Sequence, residues 1–134
     1  RLLADTALAH ARSKGFKPLA LVVLDARGAR KLVMAEDGVS LKRAEVAFGK
    51  ANAALAVGNG SRALMKIAAE RPHFVASLMH VADGAFVPVP GGVLIKAGAE
   101  IIGAVGVSGD TSDADEEAAM IGIEAAGFTG DPGA

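Results

Sequence analysis

The sequence contains no cysteine, which removes disulfides, thiolate metal sites, iron–sulfur clusters and a cysteine nucleophile. Trp and Tyr are absent too, and five Phe are too few for an aromatic platform on which bases could stack. Neither sign of charge dominates: 14 basic and 15 acidic residues leave a formal net charge of −1. The basic residues are also dispersed, as in Arg27, Arg30 and Lys31 or Lys42 and Arg43. Nucleic acid and anionic membrane are therefore not expected partners. No apolar run approaches the ~18 residues of a membrane span. The first residue is Arg1 rather than Met, so a removed leader is compatible with the sequence, while a cytoplasmic protein is the simpler expectation.

What is present is an apolar chain of 134 residues, 51% hydrophobic and 22% charged, built mostly from Ala, Val, Leu and Ile. That composition excludes a disordered chain, and the length suits a single domain spanning 1–134. There is no repeat, low-complexity linker or shift in composition to divide it.

Periodicity supplies the elements. Arg1 to Lys14 reads as a helix with Leu3, Ala4, Ala7, Leu8 and Ala11 on one face and Gly15 as its stop. Leu19–Leu24 and Ala29–Ala35 read as strands around the turn Asp25-Ala26-Arg27-Gly28. Leu41–Val57 is the clearest helix: Leu41, Ala44, Phe48, Ala51 and Leu55 share a face expected to bury Phe48 against a sheet. Lys42, Arg43, Lys50 and Asn52 take the other side, and Ser40 is placed to cap.

A short helix follows from Ser61 to about Glu70, broken at Arg71-Pro72. His73–Val81 is ambiguous between helix and loop. Phe86–Val89, Val93–Lys96 and Glu100–Ser108 read as three strands, and Ala114–Ala126 as a last helix. The expected order is α-ββ-α-α-βββ-α. Connections of hairpin length within each β block favour antiparallel pairing, hence an α+β fold with helices packed on a mainly antiparallel five-stranded sheet.

The segment Pro90–Gly109, PGGVLIKAGAEIIGAVGVSG, resembles the signature of the haem-degrading GlcG/HbpS-like family: a PGG turn, a strand, a glycine turn, then GAVGVSG followed by acidic residues, here Asp110, Asp113 and Asp115. Leu21–Gly28 is similar to that family's strand-Asp-x-x-Gly hairpin, and Ala47-Phe48-Gly49-Lys50-Ala51 to its A-x-x-K-A helix. The three segments fall in the family's order. Leu94 and Ala53 depart from the pattern, which commonly has Pro and Thr there. The resemblance implies a profilin-like fold, homo-oligomers, and association with haem binding and degradation or with glycolate, diol and cobalamin-related catabolism.

Against that background, several residues are candidates for a ligand site. Gly103, Gly106 and Gly109 are spaced G-x-x-G-x-x-G within and after a strand, which is not the dinucleotide fingerprint. Glycine within a strand allows close packing of another backbone, or a bare face for a flat ligand. Pro90-Gly91-Gly92 forms a tight turn whose amides could serve a carboxylate. His73 and His80, seven residues apart, would share a face if helical, and haem iron accepts a single axial imidazole. His80 is the candidate metal ligand, and Lys50, solvated by default on its helix, the candidate partner of an acidic group.

Asp110, Asp113, Asp115, Glu116 and Glu117 lack the spacing of a Ca²⁺ loop and suit a helix start capped by Ser112 or Asp113. No Ser-His-Asp order, HExxH or Walker loop assigns a catalytic residue. The leading expectation is a haem- or tetrapyrrole-binding protein, any degradation being driven by the bound iron. The alternatives are a non-catalytic accessory module binding a small acid, and an oligomeric scaffold.

Overall fold

In the computed structural model, which describes residues 1–134, helix α1 (Leu2–Lys14) precedes a hairpin of β1 (Ala20–Asp25) and β2 (Arg30–Ala35). Three helices follow: α2 (Arg43–Val57), α3 (Ser61–Glu70) and α4 (Pro72–Val81). Then come a second hairpin, β3 (Gly92–Ala97) and β4 (Glu100–Ser108), helix α5 (Ser112–Ala125) and the short strand β5 (Thr129–Asp131). The five strands form one antiparallel sheet in the order β2-β1-β4-β3-β5. This is the α+β class expected from the sequence.

One strand of the expected βββ block is a different segment. Phe86–Val89 is not a strand but irregular chain, held to α2 by a hydrogen bond from the Val87 amide to the Gly49 carbonyl. Pro88 and Pro90 remove donors that a ladder would need. The fifth strand is instead β5, which follows the last helix and pairs with β3. The ambiguous segment His73–Val81 is helical, with Pro72 in the first turn of α4, where a missing N–H costs no bond.

The pleat sorts residues into two layers. Leu19, Leu21, Val93, Ile95, Val105 and Val107 point to one face, where α1 (Leu3, Ala4, Ala7, Ala11) and α5 (Ala118, Ala119, Ile123) cover them. Val22, Leu24, Leu94 and Ala104 point to the other, under Ala47, Ala51 and Ala54 of α2. Beyond α2, a third cluster of Ala53, Leu64, Val75 and Phe86 attaches α3 and α4.

Helix α2 therefore seats itself differently from the expected face. Its buried stripe is Ala47, Lys50, Ala51 and Ala54, whereas Leu41 is 87% exposed and Phe48 only half-buried, with the Arg30 guanidinium 3.8 Å above its ring. The helix starts at Arg43 without a side-chain cap, so Ser40 does not serve as one. The reason is the sheet beneath. Gly92 and Gly106 are cross-strand partners on the α2 side, and a Cβ at Gly106 would overlap the Ala47 carbonyl oxygen, one at Gly92 that of Lys50. With neither strand carrying a side chain there, the small face of α2 comes down onto the sheet backbone, and larger side chains such as Phe48 and Leu55 are left at the flanks.

Gly106→Ala should consequently be destabilising out of proportion to the single methyl it adds, because the obstacle is helix backbone and not a flexible side chain. A loss of at least about 2 kcal/mol in urea denaturation is expected. A variant as stable as the parent would show that α2 does not lie this close to β4.

Candidate functional site

Lys50, expected in solvent, lies at the centre of the molecule. Its Nζ donates to Asp115 Oδ2 at 3.0 Å and to the Val107 carbonyl at 2.9 Å, and both side chains of the pair are almost wholly buried. The other carboxylate oxygen of Asp115 accepts the Asp110 amide at 3.0 Å. Because α2 and α5 cover opposite faces of the sheet, this ion pair ties the two layers together around the end of β4. Burial pushes the Lys50 ammonium below its ordinary value and the Asp115 carboxyl above its own, and their mutual attraction opposes both shifts.

The PGG turn roofs this centre. A Cβ at Gly91, whose φ is +120°, would approach both Lys50 Nζ and the Val107 carbonyl. The Gly92 amide is already taken by Ser61 Oγ at 2.7 Å, and that hydroxyl donates back to the Gly92 carbonyl at 3.2 Å. The turn and Lys50, paired as a possible anion site in the sequence, are thus together, but Lys50 is engaged by Val107 and Asp115 and the Gly92 amide by Ser61.

The glycines of β4 are filled by protein as well. Gly106 faces α2, and Gly103 the Leu24 carbonyl of β1. Neither faces α4, where His73 and His80 lie, so the expected pocket joining the histidines to the glycine strand is not formed within the chain.

Both histidines are exposed on α4, and neither imidazole has a hydrogen-bond partner. Seven residues apart, they share the face turned away from Val75, the only buried residue of that helix. Beside His80 is an open cleft of about 520 Å³ lined by Ala76, Met79, His80, Asp83 and Gly84. His10, by contrast, is bound to Glu117 at 2.7 Å. No group of three or more His, Asp and Glu could hold a metal ion through side chains alone.

Asp115 and Ser61 escaped the sequence reading. Asp115 was indistinguishable from its acidic neighbours as a helix starter, although the N-cap is in fact Thr111, whose hydroxyl accepts the Ala114 amide. A signal for the buried cation did exist: Lys50 interrupts a stripe of Ala47, Ala51 and Ala54, and a lone Lys in an alanine face lies where burial is closest.

The fold and these sites define a small antiparallel α+β domain with a buried ionic clamp, an apolar histidine-bearing helix and no metal cluster. The chain belongs to the haem degrading protein HbpS-like family, whose model matches residues 1–124. Among curated proteins, none matches it in sequence.

Solved structures share the fold. A PduOC:heme complex superposes with a TM-score of 0.85 at 23% identity over 95% of this chain and 91% of that one. Protein ORFY of Klebsiella pneumoniae gives 0.83 at 21% identity, covering 92% and 84%. A double mutant of HbpS from Streptomyces reticuli gives 0.80 at 23%, covering 92% and 80%.

The ion pair generates a stability prediction. Removing one partner leaves the other charge buried alone, so Lys50→Met or Asp115→Asn should each cost about 3–5 kcal/mol. The double variant should recover part of that loss, because the two effects share one contact. Chemical denaturation of the four proteins measures the coupling, and additive losses would mean that the pair does not act as a unit.

Proposed function

We propose that this chain binds haem on the outer face of α4, with His80 as the iron ligand and His73 beside it. The observation that carries this reading is the character of α4. The helix has no Asp, Glu, Lys or Arg and buries only Val75; Val81 is 80% exposed, and Phe74, with the Arg71 guanidinium 4.3 Å over its ring, and Met79 are each 38% exposed, on the same helix as two unpartnered imidazoles. Apolar surface with a few convergent polar groups is the general make-up of small-ligand sites, and one axial imidazole suffices for haem iron.

Membership of the HbpS-like family, and likeness to PduOC in complex with heme, support haem as the ligand. Bound haem would supply the redox chemistry that any degradation requires. The chain's part is to hold the macrocycle against α4 and to present an imidazole to the metal.

The same helix supports self-association. An uncharged helix lying outside the core is surface that a second copy can cover, and a symmetric homo-oligomer is the simplest arrangement that does so. No helix is long and apolar enough to cross a membrane, so α4 does not owe its composition to a transmembrane role.

Two measurements check these readings. In a hemin titration followed at the Soret band, His80→Ala should weaken binding and shift the band, while His10→Ala, altering a residue tied to Glu117, should do neither. Identical spectra and affinities for the parent, His73→Ala and His80→Ala would rule out imidazole ligation, and failure of the parent to bind hemin would rule out the haem reading. Size exclusion with light scattering should show more than one chain per particle, and Phe74→Glu with Val81→Glu should shift it toward the monomer. A parent that stays monomeric at micromolar concentration would count against self-association.

A further inference from the structure

A second cleft, of about 260 Å³, opens where the loop before β1, the loop before α2 and the end of β4 meet. Lys17, Pro18, Gly38, Ser40, Arg43 and Gly109 line it. Its chemistry is cationic and unspent. Arg43 stands in the first turn of α2, half-buried, and donates through Nη1 to Ser108 Oγ at 3.1 Å. Ser108 is itself fully buried, so this bond fixes the guanidinium at the cleft rather than leaving it to sweep through solvent. No carboxylate lies within ion-pair distance of Arg43 or of the Lys17 ammonium.

Asp110, the acid beside Lys17, has its oxygens engaged by the backbone amides of Lys17 and Thr111. The amides of Gly38, Ser40 and Gly109 find no acceptor in the chain. Residues that carry unspent donors therefore line one small space: Arg43 with its guanidinium, Lys17 with its ammonium, Ser40 with its hydroxyl, and the amides of Gly38, Ser40 and Gly109. A half-buried arginine with no acid partner is unusual, since a charge drawn toward the interior is normally paired.

We propose that this cleft binds a compact oxyanion, the carboxylate or phosphate group of a small molecule. Arg43 is the principal ligand, through the free edge of its guanidinium, and Lys17 and Ser40 complete the shell. A guanidinium fork suits both groups because it meets two oxygens at once. None of the residues that line the cleft belongs to α4, so this site is separate from the haem surface proposed there and independent of it.

Titration of the full chain with sodium phosphate and, separately, with sodium acetate tests the site, at ionic strength held constant with sodium chloride. Calorimetry and backbone-amide NMR are the readouts. At least one anion should bind saturably and shift the Gly38, Ser40 and Gly109 amides, and which one does so separates phosphate from carboxylate. Arg43→Gln should weaken that binding about tenfold or more. Lys17→Ala, at an exposed residue, should weaken it in the same sense and decides the matter if Arg43→Gln, having lost its bond to Ser108, does not fold. Absence of saturable binding by either anion overturns the proposal, as does binding that both folded variants retain unchanged.

Discussion

The close approach of α2 to the sheet is the constraint on which the rest of the molecule depends. Gly92 and Gly106, paired across β3 and β4, remove two side chains from the sheet at the point where the carbonyls of Ala47 and Lys50 descend. Once the helix is that low, the Lys50 side chain runs through the layer to Val107 and Asp115, and α5 on the far face is drawn to α2. The GAVGVSG run and the A-F-G-K-A segment, more than fifty positions apart in the chain, are thus two sides of one packing contact.

A buried ion pair of this kind is not a source of large net stability. Desolvating an ammonium and a carboxylate offsets much of what their attraction returns, and the opposite directions of their pKa shifts are the signature of that competition. What the pair contributes is position. It has one geometry, shared with the Val107 carbonyl and the Asp110 amide, and so specifies how two helical layers meet around the end of β4. Residues used in this way are not available to a ligand, so both sites proposed above lie elsewhere: on the uncharged outer face of α4, and in the cleft where Arg43 has no acid of its own.

Much of the fold was legible because it is written locally. The hairpin turn at Asp25–Gly28, where Asp25 Oδ1 accepts the Arg27 and Ala29 amides, follows from adjacent residues, as do the Gly15 and Gly58 stops of α1 and α2 in left-handed conformation. Phe86–Val89 misled because its apolar composition is strand-like, while Pro88 within it and Pro90 after it withhold donors and its partner in space is helix α2 rather than a strand. β5 was illegible because three residues, Thr129–Asp131, carry no period and become a strand only by pairing with Leu94–Lys96. His73 and His80 are candidates by residue type alone; their separation from the glycine strand depends on α2 standing over Gly106.

The sequence by itself determined the helices α1, α2, α3 and α5, both hairpins, the α+β class and the family signature, since hydrophobic period, turn residues and motif order are properties of neighbouring positions. Tertiary structure decided which side of α2 is inside, that Lys50 is an interior cation and not a surface one, that Asp115 among five nearby acids is its partner, and that Arg43 has none. Those outcomes are set by where a backbone can approach another backbone, and a one-dimensional pattern of polar and apolar residues does not record that distance.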